Sequence, residues 1–384
     1  MPDQVAVFAT RYPPAFRGGG PIRTLEALVE QAPPVYSVLV VTRDSDQGSS
    51  TRLAVERNVW VEKGSARVRY TTVEVLAHLI RSMREVRRAR PDLVYVNSFF
   101  DFKLSILPQL LARIGYFRRT RLLVAPRGEF GEAALMHRAL KKRLFLYLFR
   151  LLRMQERITW HASSDQERSD VARLWGASAR VLVRENETLL PEQSDSPALP
   201  SASTARRTRY VSVGRLVEHK GLHVVLAGLK ELDEEIDLDV YGPAEDDVYV
   251  KRCKGLVAEL PANVSVRFNG TLPHSEVRQT LAMYDALLMP TAGENFGHII
   301  AEALSVSCPV FAPATTPWTQ ILADGGGVVV ESRTSAAWSL AIKAHASIDQ
   351  GLRFLARRHA GASYDAWKAS STAPHVFDLV FAND

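Results

Sequence analysis

Short apolar runs alternate with amphipathic helical patterns along almost the whole chain, and this alternation constrains the fold more than any other feature. Strands joined through helices form parallel sheets, because each helical crossover returns the chain to the end of the sheet where the previous strand began. The predicted strands cover residues 5–10, 36–42, 93–97, 121–125, 159–162, 180–184, 208–213, 237–241, 264–268, 286–289 and 309–312. The pattern therefore predicts the α/β class.

Residues 191–206 break this alternation, because they are rich in Pro, Ser and Ala and show no hydrophobic periodicity. Such a composition is typical of a linker. A chain of 384 residues is long enough for two or three domains that each bury a core. We therefore predict an N-terminal domain over residues 1–190, a linker over 191–206, a C-terminal domain over 207–365 and a C-terminal segment over 366–384.

The strongest local signal is the stretch TAGENFGHIIAE at residues 291–302. It follows a short apolar run, so it lies where a strand turns into a helix that opens at Phe296 or Gly297. The first turn of a helix presents free backbone N–H groups and the positive end of the helix dipole, which suits a phosphate. Glu294 precedes this turn and Glu302 lies about one and a half turns into the helix. The stretch predicts a nucleotide site; the alternative is that Glu294 caps the helix and Glu302 is solvated.

A second stretch, YVSVGRLVEHKGL at residues 210–222, carries two cations. An apolar strand turns at Gly214 and leads into an amphipathic helix from Leu222. Arg215 and Lys220 therefore leave the carboxyl end of a strand close to a helix N-terminus, where a guanidinium fork and an ammonium can hold a diphosphate. Taken alone, the same residues could form a solvated basic loop.

Three successive glycines, Gly18, Gly19 and Gly20, lie between the first predicted strand and a helix that starts near Pro21. Successive glycines allow the backbone to turn its amides toward an anion, and proline suits the first turn of a helix. Because of this position, we expect the loop to contact phosphates of the nucleotide. The alternative is a flexible loop.

Together these residues carry a resemblance to a known family. The run Gly214-Arg215-Leu216 with Lys220-Gly221, followed by glutamates at 294 and 302, resembles the motifs of the retaining nucleotide-sugar glycosyltransferases of family four, which have the GT-B fold. The resemblance covers nearly the whole chain and implies two Rossmann-like domains that face each other across a cleft, with the C-terminal segment packed back on the N-terminal domain. It also implies transfer of a sugar from a nucleoside diphosphate to an acceptor hydroxyl, with retention of configuration and without a metal or other cofactor.

The resemblance also implies a role for each matching residue. Arg215, Lys220 and Glu294 would form the catalytic set, in which the two cations neutralise the diphosphate and the carboxylate binds hydroxyls of the donor sugar. Glu302 would hold the ribose. The remaining donor-binding residues would be Gly18, Gly19, Gly20, Asn295, Phe296 and Gly297.

The acceptor side should come from the N-terminal half, where Arg127 and Glu129 follow the predicted strand at 121–125. We expect these two side chains to contact the acceptor or the sugar. Many relatives carry a histidine in this neighbourhood, whereas this chain has Pro126, Arg127 and Gly128. The usual role of that histidine is therefore unassigned.

The formal net charge of +6 is concentrated in two segments, residues 81–90 and 137–153. The second interleaves cations with large apolar side chains, so it could lie on an anionic membrane surface, where lipid-linked acceptors are found. The alternative is a helix that packs on the core and solvates a basic edge. Nucleic-acid binding is not expected, because no recognised reader module accompanies the charge.

Cysteine usage and hydropathy bear on the location. Cys253 and Cys308 are the only cysteines and stand in unrelated contexts, so neither a disulfide framework nor a thiolate metal site is predicted. No run reaches the roughly 18 apolar residues of a membrane span, and the N-terminus lacks a signal-peptide pattern. We expect a cytoplasmic protein, with a peripheral position on the inner face of the membrane if the basic segment binds lipid.

The expected partners are a nucleoside diphosphate sugar and a glycan or lipid-linked acceptor in polysaccharide biosynthesis. Two alternatives stay open, because fold does not fix function. One is a nucleotide-sugar epimerase of the same fold, which needs dedicated acid-base residues. The other is a protein that binds a nucleotide sugar without transferring it.

Overall fold

The computed structural model describes residues 3–48, 51–131, 134–135, 139–197, 207–371 and 373–382. The chain divides into two compact units. The first comprises Met1–Leu189 together with Ala373–Asp384, and the second comprises Leu190–Thr372. The chain therefore leaves the first unit after Leu189 and returns to it at Ala373.

A mainly parallel sheet forms the centre of the first unit. Its strands are β1 (Asp3–Ala9), β2 (Tyr36–Arg43), β3 (Trp60–Lys63), β4 (Ala66–Thr71), β5 (Leu93–Asn97), β6 (Arg121–Ala125), β7 (Thr159–Ala162) and β8 (Arg180–Val183). They lie in the order β3-β4-β2-β1-β5-β6-β7-β8, and only the edge pair of β3 and β4 is antiparallel among these strands. Because the order reverses between β1 and β5, the unit has the doubly wound arrangement of a Rossmann-like domain.

Helices cover both faces of this sheet. The described ones are α1 (Gly20–Glu30), α2 (Leu76–Ala89), α3 (Leu107–Arg113), α4 (Ala139–Leu151), α5 (Asp165–Trp175) and the C-terminal helix (Val376–Ala382), with a π-helical turn at Phe102–Ile106 and a 3-10 turn at Met154–Arg157. Side chains of β1 alternate between the faces. Phe8 is buried in the core that holds Met83 of α2, whereas Val7 is buried with Leu25 of α1 and Phe377 of the C-terminal helix.

A second parallel sheet forms the centre of the second unit. Its strands are β9 (Thr208–Val213), β10 (Ile236–Tyr241), β11 (Val264–Gly270), β12 (Ala286–Leu288), β13 (Val310–Pro313) and β14 (Gly327–Val330). They lie in the order β11-β10-β9-β12-β13-β14, with all neighbours parallel. The order reverses between β9 and β12, so this unit is Rossmann-like too.

The helices of the second unit lie on both faces of its sheet, since the neighbouring β9 residues Tyr210 and Val211 belong to two different buried cores. The described helices are α6 (Leu222–Gly228), α7 (Asp247–Val257), α8 (His274–Leu281), α9 (His298–Leu304), α10 (Thr319–Ile321), α11 (Ser335–Ala346) and α12 (Gln350–Ser370), with 3-10 turns at Glu218–Lys220 and Leu229–Glu231 and a π-helical turn at Leu322–Gly326. Among the residues that the structure describes, no helix is both long enough and apolar enough to cross a membrane.

The structure confirms the predicted α/β class and the predicted strands, each within two residues at either end. Three strands were not predicted: β3, β4 and β14. The strands β3 and β4 form an edge hairpin that carries charged residues among its apolar ones, so no continuous apolar run marks them. The four-residue strand β14 follows successive glycines, which read as a loop.

The predicted linker is wrong over residues 191–197, because they are bound to the second unit. Tyr364 Oη donates to Pro191 O at 2.6 Å, and Ser194 N donates to Asp365 Oδ1 at 2.6 Å. These bonds hold the backbone of this stretch against α12, which composition alone does not reveal. The rest of the predicted linker, residues 198–206, lies outside the described residues.

The C-terminal segment begins later than the predicted residue 366. Helix α12 continues to Ser370 in the second unit, and the segment that belongs to the first unit begins at Ala373. No glycine or proline lies between Gly361 and Pro374, so no helix-breaking residue stops α12 near residue 366. Beyond that proline, His375 Nε2 donates to Leu28 O at 2.9 Å.

Candidate functional site

The loops that follow β9 and β12 lie side by side at one edge of the second sheet. The two strands are parallel neighbours, so their carboxyl ends meet at the same edge. A direct hydrogen bond also joins the loops, because Ala292 N donates to His219 O at 2.8 Å. This arrangement brings Arg215 and Lys220 of the first loop to the same edge as Glu294 of the second.

The Lys220 ammonium and the Glu294 carboxylate are in direct contact. Nζ donates to Oε1, and the side chains are 24% and 14% exposed. Charges that are partly shielded from water attract each other more strongly than charges at the open surface, so each side chain fixes the other. The alternative in which Glu294 caps the helix is wrong, because Gly297 is the cap residue of α9 and no side chain caps that end.

Arg215 has a looser partner. Its Nη1 donates to Glu245 Oε2 at 3.1 Å, and both side chains are more than one-third exposed. Ion pairs at the surface contribute roughly 1 kcal/mol or less. The guanidinium can therefore exchange this carboxylate for a phosphate at little cost.

More cations than carboxylates act on His219, which lies in the first of these loops. Burial lowers the pKa of His219, and the cations of Lys220 and Arg215 lower it further, while the Glu294 carboxylate opposes them. The lowered pKa of the His219 imidazole therefore reflects burial together with the neighbouring cations. A positive local potential favours an anionic ligand.

Arg333 contributes to this positive charge and was not predicted from the sequence. It follows β14, and its Nε donates to Pro290 O at 3.0 Å, which connects a third loop to the same edge. Gly221 lies beside both groups: a Cβ there would stand 2.2 Å from Pro290 O, and the residue has a φ of +75° that favours glycine. Arg333 could have been predicted only from its position after β14, and β14 was itself not predicted from the sequence.

Helix α9 starts at His298, later than the predicted Phe296 or Gly297. Gly297 takes the capping position with a φ of 83°, a conformation that glycine adopts most readily. Phe296 is buried against Trp318, with ring centroids 5.6 Å apart, and its carbonyl accepts from Trp318 Nε1. The donor contacts of Asn295, Phe296 and Gly297 stay predictions.

Glu302 is buried inside the second unit. It is 3% exposed, so the alternative in which it is solvated is wrong. Its Oε1 lies 3.1 Å from Nε2 of His274, the first residue of α8, and the His274 side chain is 56% exposed. His274 thus connects the buried carboxylate to the surface. Its position just beyond a strand end was the only sequence signal for it.

The glycine loop follows β1 in the first unit, and a carboxylate shapes it. Phe16 N and Arg17 N donate to Asp46, a residue just beyond β2, at 3.0 and 3.2 Å. Gly19 caps α1 with a φ of 65°, and Gly20 begins the helix. Apart from its two chain neighbours, no heavy atom of the described residues lies within 4 Å of where a Cβ would stand on Gly19. Phosphate contact by Gly18, Gly19 and Gly20 stays a prediction, and Asp46 is a further residue that the sequence analysis missed.

Arg127 is bound to three side chains of the first unit. Its Nε donates to Asn97 Oδ1 at 2.8 Å, its Nη2 donates to Tyr95 Oη at 2.6 Å, and its Nη1 donates to Asn186 Oδ1. These partners stand on or beyond β5 and β8, so Arg127 ties together the carboxyl ends of strands that are far apart in the sequence. Contact with an acceptor or a sugar stays a prediction.

Two carboxylates, the partly buried Glu129 and the buried Glu167, hold the loop around Arg127. Glu129 accepts from Phe99 N at 2.7 Å and from Ser98 Oγ at 2.8 Å. Burial raises the pKa of the Glu129 carboxyl, and these hydrogen bonds oppose that effect. Glu167 accepts from Gly128 N at 2.6 Å. These hydrogen bonds do not test the predicted contact of Glu129 with an acceptor or a sugar, which stays a prediction.

Side chains that bind metals are dispersed. Within the described ranges, no group of three or more His, Cys, Asp or Glu residues could hold a metal ion.

The fold is shared with solved structures over nearly the whole chain. The sucrose-phosphate synthase of Thermosynechococcus elongatus aligns over 100% of both chains, with a TM-score of 0.70 and 17% identity. The Alr3699/HepE protein of Anabaena, solved in complex with UDP-glucose, aligns over 96% of this chain and 95% of its own, with a TM-score of 0.68 and 16% identity. The fold is therefore GT-B, as the resemblance implied.

Sequence similarity to known families centres on the second unit. Residues 200–350 match the family model of the Glycosyl transferases group 1. The D-inositol 3-phosphate glycosyltransferase of Xylanimonas cellulosilytica is 29% identical over 197 residues, which cover 46% of this chain and 46% of that protein. The phosphatidyl-myo-inositol mannosyltransferase of Mycobacterium leprae is 26% identical over 185 residues, which cover 46% of this chain and 48% of that protein. The match spans about half the length of these curated relatives. The second unit therefore carries a match to the group 1 glycosyltransferases, and this match confirms the predicted resemblance at the level of this group.

Proposed function

We propose that this chain is a retaining glycosyltransferase of family four that moves a sugar from a nucleoside diphosphate donor to an acceptor hydroxyl. The observation that carries the proposal is the contact of Lys220 with Glu294, on joined loops that also hold Arg215. A donor of this class has an anionic diphosphate next to a polar sugar. Two cations and one carboxylate at a single sheet edge suit those two parts.

The two cations are proposed to bind the diphosphate. Lys220 is paired with Glu294 and Arg215 with Glu245. A diphosphate offers both cations a partner whose negative charge grows as the donor bond breaks, so the interaction is strongest in the transition state. The cations then supply the charge that a magnesium ion supplies in other phosphate sites. We therefore propose that no metal or other cofactor is needed.

The two glutamates are proposed to bind different parts of the donor. An ionised carboxylate accepts hydrogen bonds, so Glu294 can bind hydroxyls of the transferred sugar once Lys220 turns to the phosphate. Glu302, buried beside His274, is proposed to accept from the ribose hydroxyls. The two glutamates should therefore affect different ligands. Glu294 should matter only for ligands that carry the donor sugar, whereas Glu302 should matter for every nucleotide that carries the ribose.

The proposed reaction proceeds on one face of the sugar. The bond between the anomeric carbon and the diphosphate oxygen breaks with its electron pair leaving on the diphosphate. The acceptor oxygen bonds to the same face of that carbon, and its proton passes to the departing diphosphate. Arg215 and Lys220 stabilise the developing charge from fixed positions, which is electrostatic catalysis.

The acceptor is proposed to be a glycan or a lipid-linked saccharide in polysaccharide biosynthesis. Support comes from relatives whose names describe transfer to D-inositol 3-phosphate and to phosphatidyl-myo-inositol. The structural relative that holds UDP-glucose makes uridine diphosphate sugars the first donors to test.

The first experiment measures thermal unfolding with a panel of nucleoside diphosphate sugars, because a bound ligand raises the unfolding temperature by mass action. The donor that stabilises the chain is then incubated with and without hydroxyl acceptors, and release of free nucleoside diphosphate is followed in the presence of a metal chelator. Release that requires an acceptor, with the donor's anomeric configuration in the product, supports the proposal. An epimerised sugar nucleotide without any acceptor identifies an epimerase, and stabilisation without any product identifies a binding protein.

A further inference from the structure

Helix α4 presents a row of large apolar side chains to solvent. The members are 45–82% exposed and recur at spacings of three and four residues, which places them on one side of the helix. We call this row the α4 outer face; it consists of Leu140, Leu144, Tyr147, Leu148 and Leu151, and the exposed Leu152 follows directly after the helix. Contiguous exposed apolar surface of this kind marks an interaction site.

The outer face is not needed for packing against the sheet. The opposite side of α4 supplies that contact, since Phe149 is buried in the core and Phe145 and Leu146 pack against it. Two alternatives were open for residues 137–153: a membrane-surface helix, or a core-packed helix with a solvated basic edge. The described part, from Ala139, packs on the core with one side and exposes apolar side chains on the other. The helix therefore packs on the core as the second alternative predicts, but its solvent-exposed side is apolar as well as basic. Residues 137–138 lie outside the described ones.

Cations border the outer face. At 100° per residue, Lys141 lies on one side of the row and Arg143 on the other, and both are exposed. Arg150 adds positive charge toward the end of the helix, whereas Arg153, just beyond the end, is paired with Glu156 at 2.6 Å. No Asp or Glu occurs between residues 134 and 155. The segment thus combines an apolar strip with net positive charge.

We propose that the α4 outer face docks on the surface of an anionic lipid bilayer. Its apolar side chains would enter the boundary between headgroups and acyl chains, while the bordering cations would contact the headgroup phosphates. A second copy of the chain fits less well, because the same cations would face each other with no acidic residue on the segment to offset them. This docking goes beyond the proposed function and does not depend on it.

Flotation with lipid vesicles tests the docking on the full chain. The wild-type protein should float with vesicles of phosphatidylcholine and phosphatidylglycerol, and at least tenfold less with vesicles of phosphatidylcholine alone. Raising the salt concentration should weaken the binding, because salt screens the charge contribution. Failure to float with the anionic vesicles, or equal flotation with both kinds, overturns the proposal.

Three variants locate the surface. Leu144→Gln/Leu151→Gln removes apolar contact, and Lys141→Glu/Arg143→Glu reverses the bordering charge; each should bind anionic vesicles at least tenfold more weakly. The matched control is Ile114→Gln, which changes an equally exposed apolar residue of the first unit elsewhere. The control should bind as the wild type does. The charge variant keeps the apolar side chains, so it still tests whether this face binds lipid if the leucine variant does not fold.

A spectroscopic probe distinguishes insertion from attachment elsewhere. Both native cysteines are buried, so a thiol dye will react selectively with an introduced surface cysteine. An environment-sensitive dye on Tyr147→Cys should shift to shorter wavelength with anionic vesicles, whereas the same dye on Ile114→Cys should not. Flotation without that shift would mean that another surface binds lipid. A doubled mass in light scattering that Leu144→Gln/Leu151→Gln abolishes would assign the face to a second copy and overturn the proposal.

Discussion

Lys220 and Glu294 hold each other in place, although 74 positions separate them in the sequence. The contact holds a cation and a carboxylate side by side at one edge of the sheet. Binding of a diphosphate would exchange the lysine's partner and release the carboxylate for a sugar hydroxyl. The proposed roles of the two residues can therefore be tested separately.

Lys220→Ala should lower kcat by on the order of a hundredfold or more, because a charged donor that stabilises the leaving group is lost. Steady-state kinetics with the identified donor, on protein shown to be folded by circular dichroism, measure this. Lys230→Ala is the matched control, since Lys230 is also paired with a glutamate, Glu259, but away from the site loops. Near-normal turnover of Lys220→Ala would show that Lys220 does not stabilise the leaving group.

Calorimetry should separate the two glutamates. Glu302→Ala should weaken binding of the free nucleoside diphosphate and of the donor alike, because its proposed partner is the ribose. Glu294→Ala should leave the free nucleotide bound and weaken only the donor, because its proposed partner is the transferred sugar. Equal loss of nucleotide affinity in both variants would show that the roles are misassigned.

Each sheet carries a buried tyrosine that is hydrogen-bonded to a buried histidine. Tyr95 of β5 lies 3.0 Å from His161 of β7, and Tyr210 of β9 lies 2.8 Å from His345 of α11. Burial lowers the pKa of His161 and lowers the pKa of His345 to about 4. In both units a neutral imidazole therefore joins elements that local sequence patterns do not connect.

The second unit should lose stability in mild acid through His345. The unfolded chain takes up a proton near pH 6.5, whereas the folded unit resists it down to about pH 4, so the free energy of unfolding falls as the pH drops across this window. The loss should reach about 3 kcal/mol at pH 4. Hydrogen exchange between pH 7 and pH 4.5, read by mass spectrometry on α11 and β9 peptides, measures it. An identical pH slope in His345→Gln would contradict this origin.

The first unit is completed by a segment that follows the entire second unit in the sequence. Val376, Phe377 and Val380 are buried in the core that also contains α1 and β2 residues. Tyr36 Oη donates to Asp378 Oδ1 at 2.7 Å and fixes the register of the C-terminal helix. The first unit therefore forms completely only when both ends of the chain are present.

Phe377→Ala should destabilise the first unit by about 3–5 kcal/mol, because a fully buried ring is replaced by a cavity. Deletion from Ala373 onward should expose more apolar surface and cost at least as much. Hydrogen exchange of α1 and β2 peptides locates the loss. Ile114→Ala, at an exposed position of the same unit, is the control and should change stability by roughly 0.5 kcal/mol or less. A deletion variant as stable as the wild type would show that the segment is dispensable.

Strand positions and the two site motifs could be predicted because the causes are local. A strand buried on both faces requires a continuous apolar run, and a left-handed turn such as that at Gly297 or Gly221 favours glycine. The edge hairpin of β3 and β4 lacks such a run, and for that reason it was missed. His274 and Arg333 were missed because their relation to the site depends on which strands are neighbours.

The amino-acid sequence by itself determined the α/β class, most strand positions and the residue types of the candidate site, since each leaves a local signature of burial or backbone conformation. Only the tertiary structure decided that Lys220 contacts Glu294, because β9 pairs with β12 and not only with the next strand in the chain. It also decided that Arg127 and Glu129 have partners within the first unit and that α4 exposes an apolar face. Partners and exposure are properties of packing between distant segments, and a local pattern records only that a side chain is polar or apolar.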